Sequence, residues 1–231
     1  MLDALPVSAD YRYERKFVFT GITARELESL IKVHPAVFSE IYPERFINNI
    51  YLDSFNLESY FSRIDGSGSA KVRIRWYGGL FGDVERPVLE IKAKEGALGR
   101  KQVFPLKRFS LQAGFNLDTI RAVFKESDLP DVLKIRLAAL EFALLNRFRR
   151  KYFQSADRDF RVTIDSDIEY YELSKNHNSF LNKNPESGTI VLEIKYAPEM
   201  DAFACGIVNR LPLRLTRNSK YVNGVERLNP W

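Results

Sequence analysis

Eight stretches of this chain alternate apolar with polar residues at a period of two, and no other feature restricts its fold as much. They run over 11–19 (YRYERKFVF), 45–53 (RFINNIYLD), 70–78 (AKVRIRWYG), 86–94 (RPVLEIKAK), 99–106 (GRKQVFPL), 147–154 (RFRRKYFQ), 160–168 (FRVTIDSDI) and 189–197 (TIVLEIKYA). Each reads as a β-strand. Residues two apart on a strand share a face. The pentapeptide VLEIK, written at 88–92 and again at 191–195, therefore sets Glu90 with Lys92 and Glu193 with Lys195, opposite apolar neighbours. The same parity groups Glu14 with Lys16, Lys71 with Arg73 and Arg75, and Arg161 with Thr163 and Asp165.

A sheet with one wet side produces such alternation without any function. The composition of the polar face argues for more. Arginine and lysine recur there beside isolated glutamates, where ordinary strand surfaces mix serine, threonine and glutamine. Like charges on neighbouring strands repel unless an anion lies among them. A barrel with this face inside would need a polyanion, and a metal with it.

Turn signals separate several strands: Gly66–Ser69, Gly78-Gly79, Glu95-Gly96 and Ser187-Gly188. Three segments read as helices. TARELESLIKV opens with Thr23 and Glu26 at capping-box spacing. The stretch 118–146 has helical periodicity broken near Pro130, and PEMDAFACGIVNRL begins with Pro198. The expectation is an α+β fold: an eight-stranded antiparallel sheet, strongly curved or closed into a barrel, with flanking helices and a helical insertion. The 231 residues form one domain, 1–231, with a core over about 10–225.

An apolar fraction of 45% beside 28% charged residues is that of an ordinary soluble protein. The longest apolar runs are too short to span a bilayer, so no membrane segment is expected. The first residues, MLDALPVSADYRYERK, lack the pattern of a secretory signal. Cys205 is the only cysteine, which excludes an internal disulfide and makes a reducing cytoplasm the default. A net charge of +5 admits an anionic partner.

In order along the chain, ERKF (14–17), NNIYLDSFNLESY (48–60), KVRIRWYG (71–78), VLEIK, RRKYFQS (149–155), FRVTIDSDI, the second VLEIK and RNSKYVNG (217–224) resemble the VTC domain. This is the polyphosphate polymerase domain of the vacuolar transporter chaperone type, within the triphosphate tunnel metalloenzymes. The resemblance implies a tunnel of eight antiparallel strands that binds triphosphate or polyphosphate with Mn²⁺ or Mg²⁺. It implies phosphate-binding roles for Lys16, Arg73, Arg75, Lys92, Arg161, Lys220 with Ser219 beside it, and Lys101 on the fifth strand. Arg150 takes such a role too, with Arg149 leaving the register open, and Lys195 joins by its place in the second VLEIK. Of these, Lys92, Arg73, Arg75 and Lys220 are the expected catalytic group. Glu193 matches the metal-holding carboxylate, with Glu14, Glu90 and Asp165 in support. The wider superfamily carries E-x-E-x-K on the first strand. Here the stretch is Arg12-x-Glu14-x-Lys16, which argues against the thiamine-triphosphatase and adenylate cyclase branches.

Phosphoanhydride transfer is governed by positioning and charge, and arginine forks bind phosphate oxygens bidentately. The leading expectation is therefore transfer of the terminal phosphate of ATP or another nucleoside triphosphate onto inorganic polyphosphate. A triphosphatase and a non-catalytic polyphosphate-binding module are the alternatives. Export of a product would need a membrane partner protein.

Other features read as structural. GSGSAK (66–71) lacks the G-K-[ST] ending of a phosphate loop and reads as a hairpin loop. His34 and His177 read as solvated, and Cys205 as a buried thiol. The basic run RFRRKYF has no stacking platform or groove-reading helix with it, so no nucleic acid partner is expected.

Overall fold

The computed structural model describes residues 12–64, 70–95, 98–209, 211, 215–216 and 218–229. The loop at 66–69 and Gly96 lie outside the described residues. In chain order the elements are β1 (Tyr13–Phe19), α1 (Ala24–Lys32), β2 (Ser39–Asp53), α2 (Glu58–Ile64), β3 (Lys71–Tyr77), β4 (Gly82–Val84), β5 (Val88–Glu95), β6 (Leu98–Pro105) and β7 (Phe109–Leu111). There follow α3 (Leu117–Glu126), α4 (Asp131–Ala138), β8 (Glu141–Gln154), β9 (Phe160–Tyr171), β10 (Lys183–Pro185), β11 (Ile190–Tyr196), α5 (Asp201–Val208) and α6 (Lys220–Leu228). Among the described residues no helix is long and apolar enough to cross a membrane.

The α+β class and all eight expected strands are present. The antiparallel ladder runs β1-β11-β9-β8-β2-β3-β5-β6, with β10 added beside β9. This path is open. Among the described residues no backbone pairing joins β1 to β6, so closure into a hydrogen-bonded barrel, which was expected, is not found. Side chains approach across the gap instead: Lys92 of β5 reaches Glu14 of β1 at 3.4 Å.

Parity assigns the two faces as the alternation requires. The outer face of β2, β3 and β5 buries Ile50, Leu52, Ile74, Trp76 and Leu89 against Ile120, Val123 and Phe124 of α3 and Leu137 of α4. The outer face of β1, β9 and β11 buries Phe17, Ile164, Leu192 and Ile194 against Leu27 and Ile31 of α1 and Ala204 of α5. Each buried Leu, Ile, Val or Phe among them contributes about 1.5–3 kcal/mol by leaving water. Helices thus cover the apolar face and leave the charged face inside the curve. The exceptions are α2, whose Tyr60 joins the inner cluster, and α6, whose Tyr221 and Val225 pack on the inner face against Leu144, Phe148 and Tyr170. Gly224 permits this approach, because a Cβ there would lie 2.6 Å from Leu144 and 2.7 Å from Tyr170.

Several local expectations hold. Thr23 accepts from the Glu26 N–H at 3.2 Å, while the Glu26 carboxylate accepts from the Thr23 N–H at 2.7 Å. Others need correction. The helical stretch 118–146 ends at Ala138, and residues 141–146 open β8 instead. There Leu145 faces the outer core and Leu144 lies beneath α6, so a strand buried on both sides presents the unbroken apolar run of a helix. Cys205 is exposed, because α5 turns Ala204 inward and its neighbour outward. His34 is buried, with Nδ1 accepting from the Ala36 N–H at 3.0 Å and Nε2–H donating to the Ile207 carbonyl at 3.2 Å. Helices α2 and α6 and the first part of β2 were not expected.

Candidate active site

Side chains from β1, β2, β3, β5, β6, β8, β11 and the start of α6 line one cavity of about 170 Å³. Nine cations face it: Lys16, Lys71, Arg73, Arg75, Lys92, Lys101, Arg150, Lys195 and Lys220. Only Glu14, Glu90 and Glu193 oppose them among the described lining residues.

The charges are tied into three linked groups. In the first, Glu90 receives Arg73 (Nη2 2.5 Å, Nε 2.7 Å), Lys101 (2.5 Å) and, more distantly, Arg75 (3.6 Å). Burial pushes the Glu90 carboxyl up, but Arg73, Arg75 and Lys101 outweigh it and hold the group far below the usual range. Burial and the adjacent Arg73 lower the Arg75 guanidinium to about 10. Arg75 is aimed by Asn49, whose Oδ1 accepts from Nε at 2.8 Å and whose amide donates to Asn146 at 2.9 Å.

In the second group, Arg150 grips Asp165 with a fork, Nε to Oδ1 at 2.5 Å and Nη2 to Oδ2 at 2.7 Å, and reaches Glu193 at 3.3 Å. Lys220 closes on the same Asp165 at 2.5 Å. Burial lowers the Lys220 ammonium by more than Asp165 restores.

In the third, Lys16 lies 2.9 Å from Glu14 and 3.8 Å from Glu193, and Lys195 lies 3.8 Å from Glu14 and 3.4 Å from Glu193. Burial raises the Glu193 carboxyl, but Lys195, Lys16 and contacts with Glu14 and Arg150 carry it well below its ordinary value. Helix α6 completes the wall. Ser219 caps it and accepts from Lys71 at 3.1 Å, so the positive end of the helix faces the cations.

The structure brings together Lys16, Arg73, Arg75, Lys92, Lys101, Arg150, Lys195, Ser219 and Lys220, all named from sequence. Arg161 does not join them. It shares their face but sits at the exposed end of β9, beside Lys195. The choice between Arg149 and Arg150 resolves to Arg150, because Arg149 turns outward to Asp167 and Glu44. Lys71 and Tyr51 also line the cavity, and the shared parity of Lys71 with Arg73 and Arg75 was the signal for the first of them.

Among the described residues no three histidine, cysteine or carboxylate side chains stand close enough to hold a metal. Glu90, expected as a ligand, is instead enclosed by Arg73 and Lys101. Glu14 and Glu193 stand on adjacent strands and share Lys16 and Lys195 as partners, with Glu193 held as an anion. Two adjacent carboxylates fit Mg²⁺ or Mn²⁺, which complete their shells with phosphate oxygens and water.

The family model of the VTC domain matches this chain over residues 11–229. The chain belongs to the VTC domain family. No curated protein matches its sequence. Among solved structures, the VTC domain described here is similar in fold to the putative adenylyl cyclase HpAC1 from Hippeastrum, whose structure is described as revealing a dominant triphosphatase activity (TM-score 0.53, 11% identity, 91% of this chain and 93% of that one). It also resembles a putative adenylate cyclase from Vibrio parahaemolyticus (TM-score 0.50, 11% identity, 92% and 96%). The PH1012 protein from Pyrococcus horikoshii OT3 is a third (TM-score 0.50, 9% identity, 92% and 99%).

Proposed function

We propose that this VTC domain moves the terminal phosphoryl group of a nucleoside triphosphate, ATP foremost, onto the end of an inorganic polyphosphate chain. The supporting observation is the convergence of nine cations on one cavity whose own carboxylates leave most of that charge unanswered. An anhydride chain supplies the missing negative charge along its length, and arginine forks match its oxygens.

A terminal oxygen of the acceptor polyphosphate attacks the γ-phosphorus. The bond from that phosphorus to the β–γ bridging oxygen breaks, and the nucleoside diphosphate leaves with the bonding pair. The attacking oxygen is already anionic, so no general base is required. Arg73, Arg75 and Arg150 hold the phosphate oxygens in line, and Lys16, Lys92, Lys195 and Lys220 spread positive charge where negative charge builds. Mg²⁺ or Mn²⁺ held by Glu14 and Glu193 would add charge neutralisation at the phosphates.

Hydrolysis in the same cavity is the second reading. Helix α6 packs across the inner face at one end, and a passage obstructed there favours release of single phosphates over threading of a polymer. The activity described for HpAC1 is in keeping with it. Incubation with ATP and either Mn²⁺ or Mg²⁺, with products resolved by length, separates the two. Long-chain polyphosphate supports transfer. Orthophosphate as the sole product rejects transfer in favour of hydrolysis, and absence of both products with retained tripolyphosphate binding reduces the domain to a binding module.

A further inference from the structure

The three arginines that line the cavity are held in two different ways. Carboxylates hold two of them. Glu90 accepts from Arg73 at Nε (2.7 Å) and Nη2 (2.5 Å), and Asp165 accepts from Arg150 at Nε (2.5 Å) and Nη2 (2.7 Å). An amide holds the third. Arg75 Nε donates to Asn49 Oδ1 at 2.8 Å, while Glu90, already engaged by Arg73 and Lys101, stands off at 3.6 Å. Arg75 is nonetheless buried, and both Arg73 and Arg150 repel its charge. Of the three guanidiniums, its charge is the least answered by the protein.

The sense of the hydrogen bonds around it is fixed. Arg75, Asn49 and Asn146 lie directly opposite one another across β3, β2 and β8, and both asparagines are wholly buried. A guanidinium only donates. Asn49 must therefore turn Oδ1 to Arg75, which leaves its amide nitrogen to donate to Asn146 Oδ1 at 2.9 Å. That orients Asn146 in turn, and its own Nδ2 has no partner among the described residues. Turning Asn146 over would set one NH₂ against another. An unused buried donor is destabilising, so this row is retained at a cost to the fold.

We propose that Asn49 and Asn146 form a neutral positioning relay, which aims the Arg75 fork into the cavity and leaves its charge for the phosphoryl group in transfer. The inference rests on the phosphate reading proposed above and adds which arginine meets the reacting group and what holds it there. A carboxylate at position 49 would aim the same fork, but it would answer the charge before any ligand arrived. An apolar residue there would leave Nε unpaired and the side chain free to turn. A neutral acceptor aims the cation and keeps it available.

The idle Asn146 donor makes the relay testable. In Asn49→Asp the new carboxylate still accepts from Arg75, and Asn146 turns over so that Nδ2 donates to the second oxygen. This variant should unfold at or above the wild-type midpoint, yet bind inorganic tripolyphosphate about tenfold more weakly, the scale of one charge-assisted hydrogen bond. Asn49→Ala and Arg75→Ala, singly and together, supply a second measurement. Calorimetric titration should show that Asn49→Ala weakens tripolyphosphate binding when Arg75 is present and changes nothing in the Arg75→Ala background, because the asparagine acts through the arginine. A merely structural asparagine would have the same effect in both backgrounds, and that result overturns the relay. Tripolyphosphate affinity unchanged in a folded Asn49→Asp variant also overturns it, while leaving the cationic site standing. If the wild type binds no tripolyphosphate, the phosphate reading itself fails and the relay with it.

Discussion

The Lys220 ammonium meets the Asp165 carboxylate at 2.5 Å, and Asp165 is wholly buried. Arg150 occupies the other side of the same carboxylate, so Asp165 serves two cations at once. It therefore acts as an internal counter-ion more than as a metal ligand, and it fastens α6 to β8 and β9.

Asp165→Asn should leave Arg150 and Lys220 facing a neutral amide in a buried setting. Removing one member of such a group costs about 3–5 kcal/mol. Tripolyphosphate should restore a larger share of stability to the variant than to the wild type, because its charge replaces the lost carboxylate. Thermal unfolding with and without tripolyphosphate reads this directly. Equal stabilisation of both proteins would mean that the anion binds elsewhere.

Gly224→Ala should loosen α6. The added methyl would meet Leu144 and Tyr170, both fully buried and held by the packing around them, at a cost of about 1–3 kcal/mol. The displaced helix carries Ser219 and Lys220 away from the cavity, so tripolyphosphate affinity should fall along with the unfolding midpoint. A variant that loses stability but binds as before would show that the helix start contributes nothing to the site.

The inner cation set was legible because a period of two is local: Lys71, Arg73 and Arg75 need only their own strand to share a face. What depends on partners was not. The register of Arg149 and Arg150 is set by an irregularity opposite Asp167, which takes a left-handed φ of 49°. No pattern inside RFRRKYF records that. Helix α6 contains Asn223 and Gly224, poor helix formers, and exists because Tyr221 and Val225 find the inner face of β8 and β9. That the sheet stays open is likewise a property of its two edge strands, β1 and β6, whose failure to pair no local pattern records. The exposure of Cys205 turned on about 100° of rotation along α5, below the resolution of a short apolar stripe.

Acid should destabilise the protein steeply. Glu90, Glu193 and Asp165 all have carboxyls depressed below their ordinary values, each opposed by burial and outweighed by neighbouring cations. Below about pH 4 the unfolded chain takes up protons at these positions while the folded chain does not. Their contribution is thus complete above that value and drains away as pH falls through the folded ones. Urea midpoints measured from pH 7 to pH 3 should decline with a slope that Glu90→Gln makes shallower. An unchanged slope would remove Glu90 from the set.

Alkaline conditions give the opposite linkage and a test of where an anion sits. Burial lowers Arg75 to about 10, with Arg73 adding to the effect, and lowers Lys101 and Lys220 below the ordinary lysine value. The folded, empty cavity therefore releases these protons at a lower pH than the unfolded chain. The cost of holding them charged is present in full below the folded values and disappears as pH rises through them. A bound polyanion reverses the balance by favouring the charged forms. Binding of tripolyphosphate should then take up protons near pH 10, where Arg75 titrates, and none from these groups at pH 7. Calorimetric titrations in buffers of different ionisation enthalpy measure that uptake, and Lys220→Met should reduce it. Equal proton exchange at both pH values would mean that the phosphates do not lie beside Arg75 and Lys220.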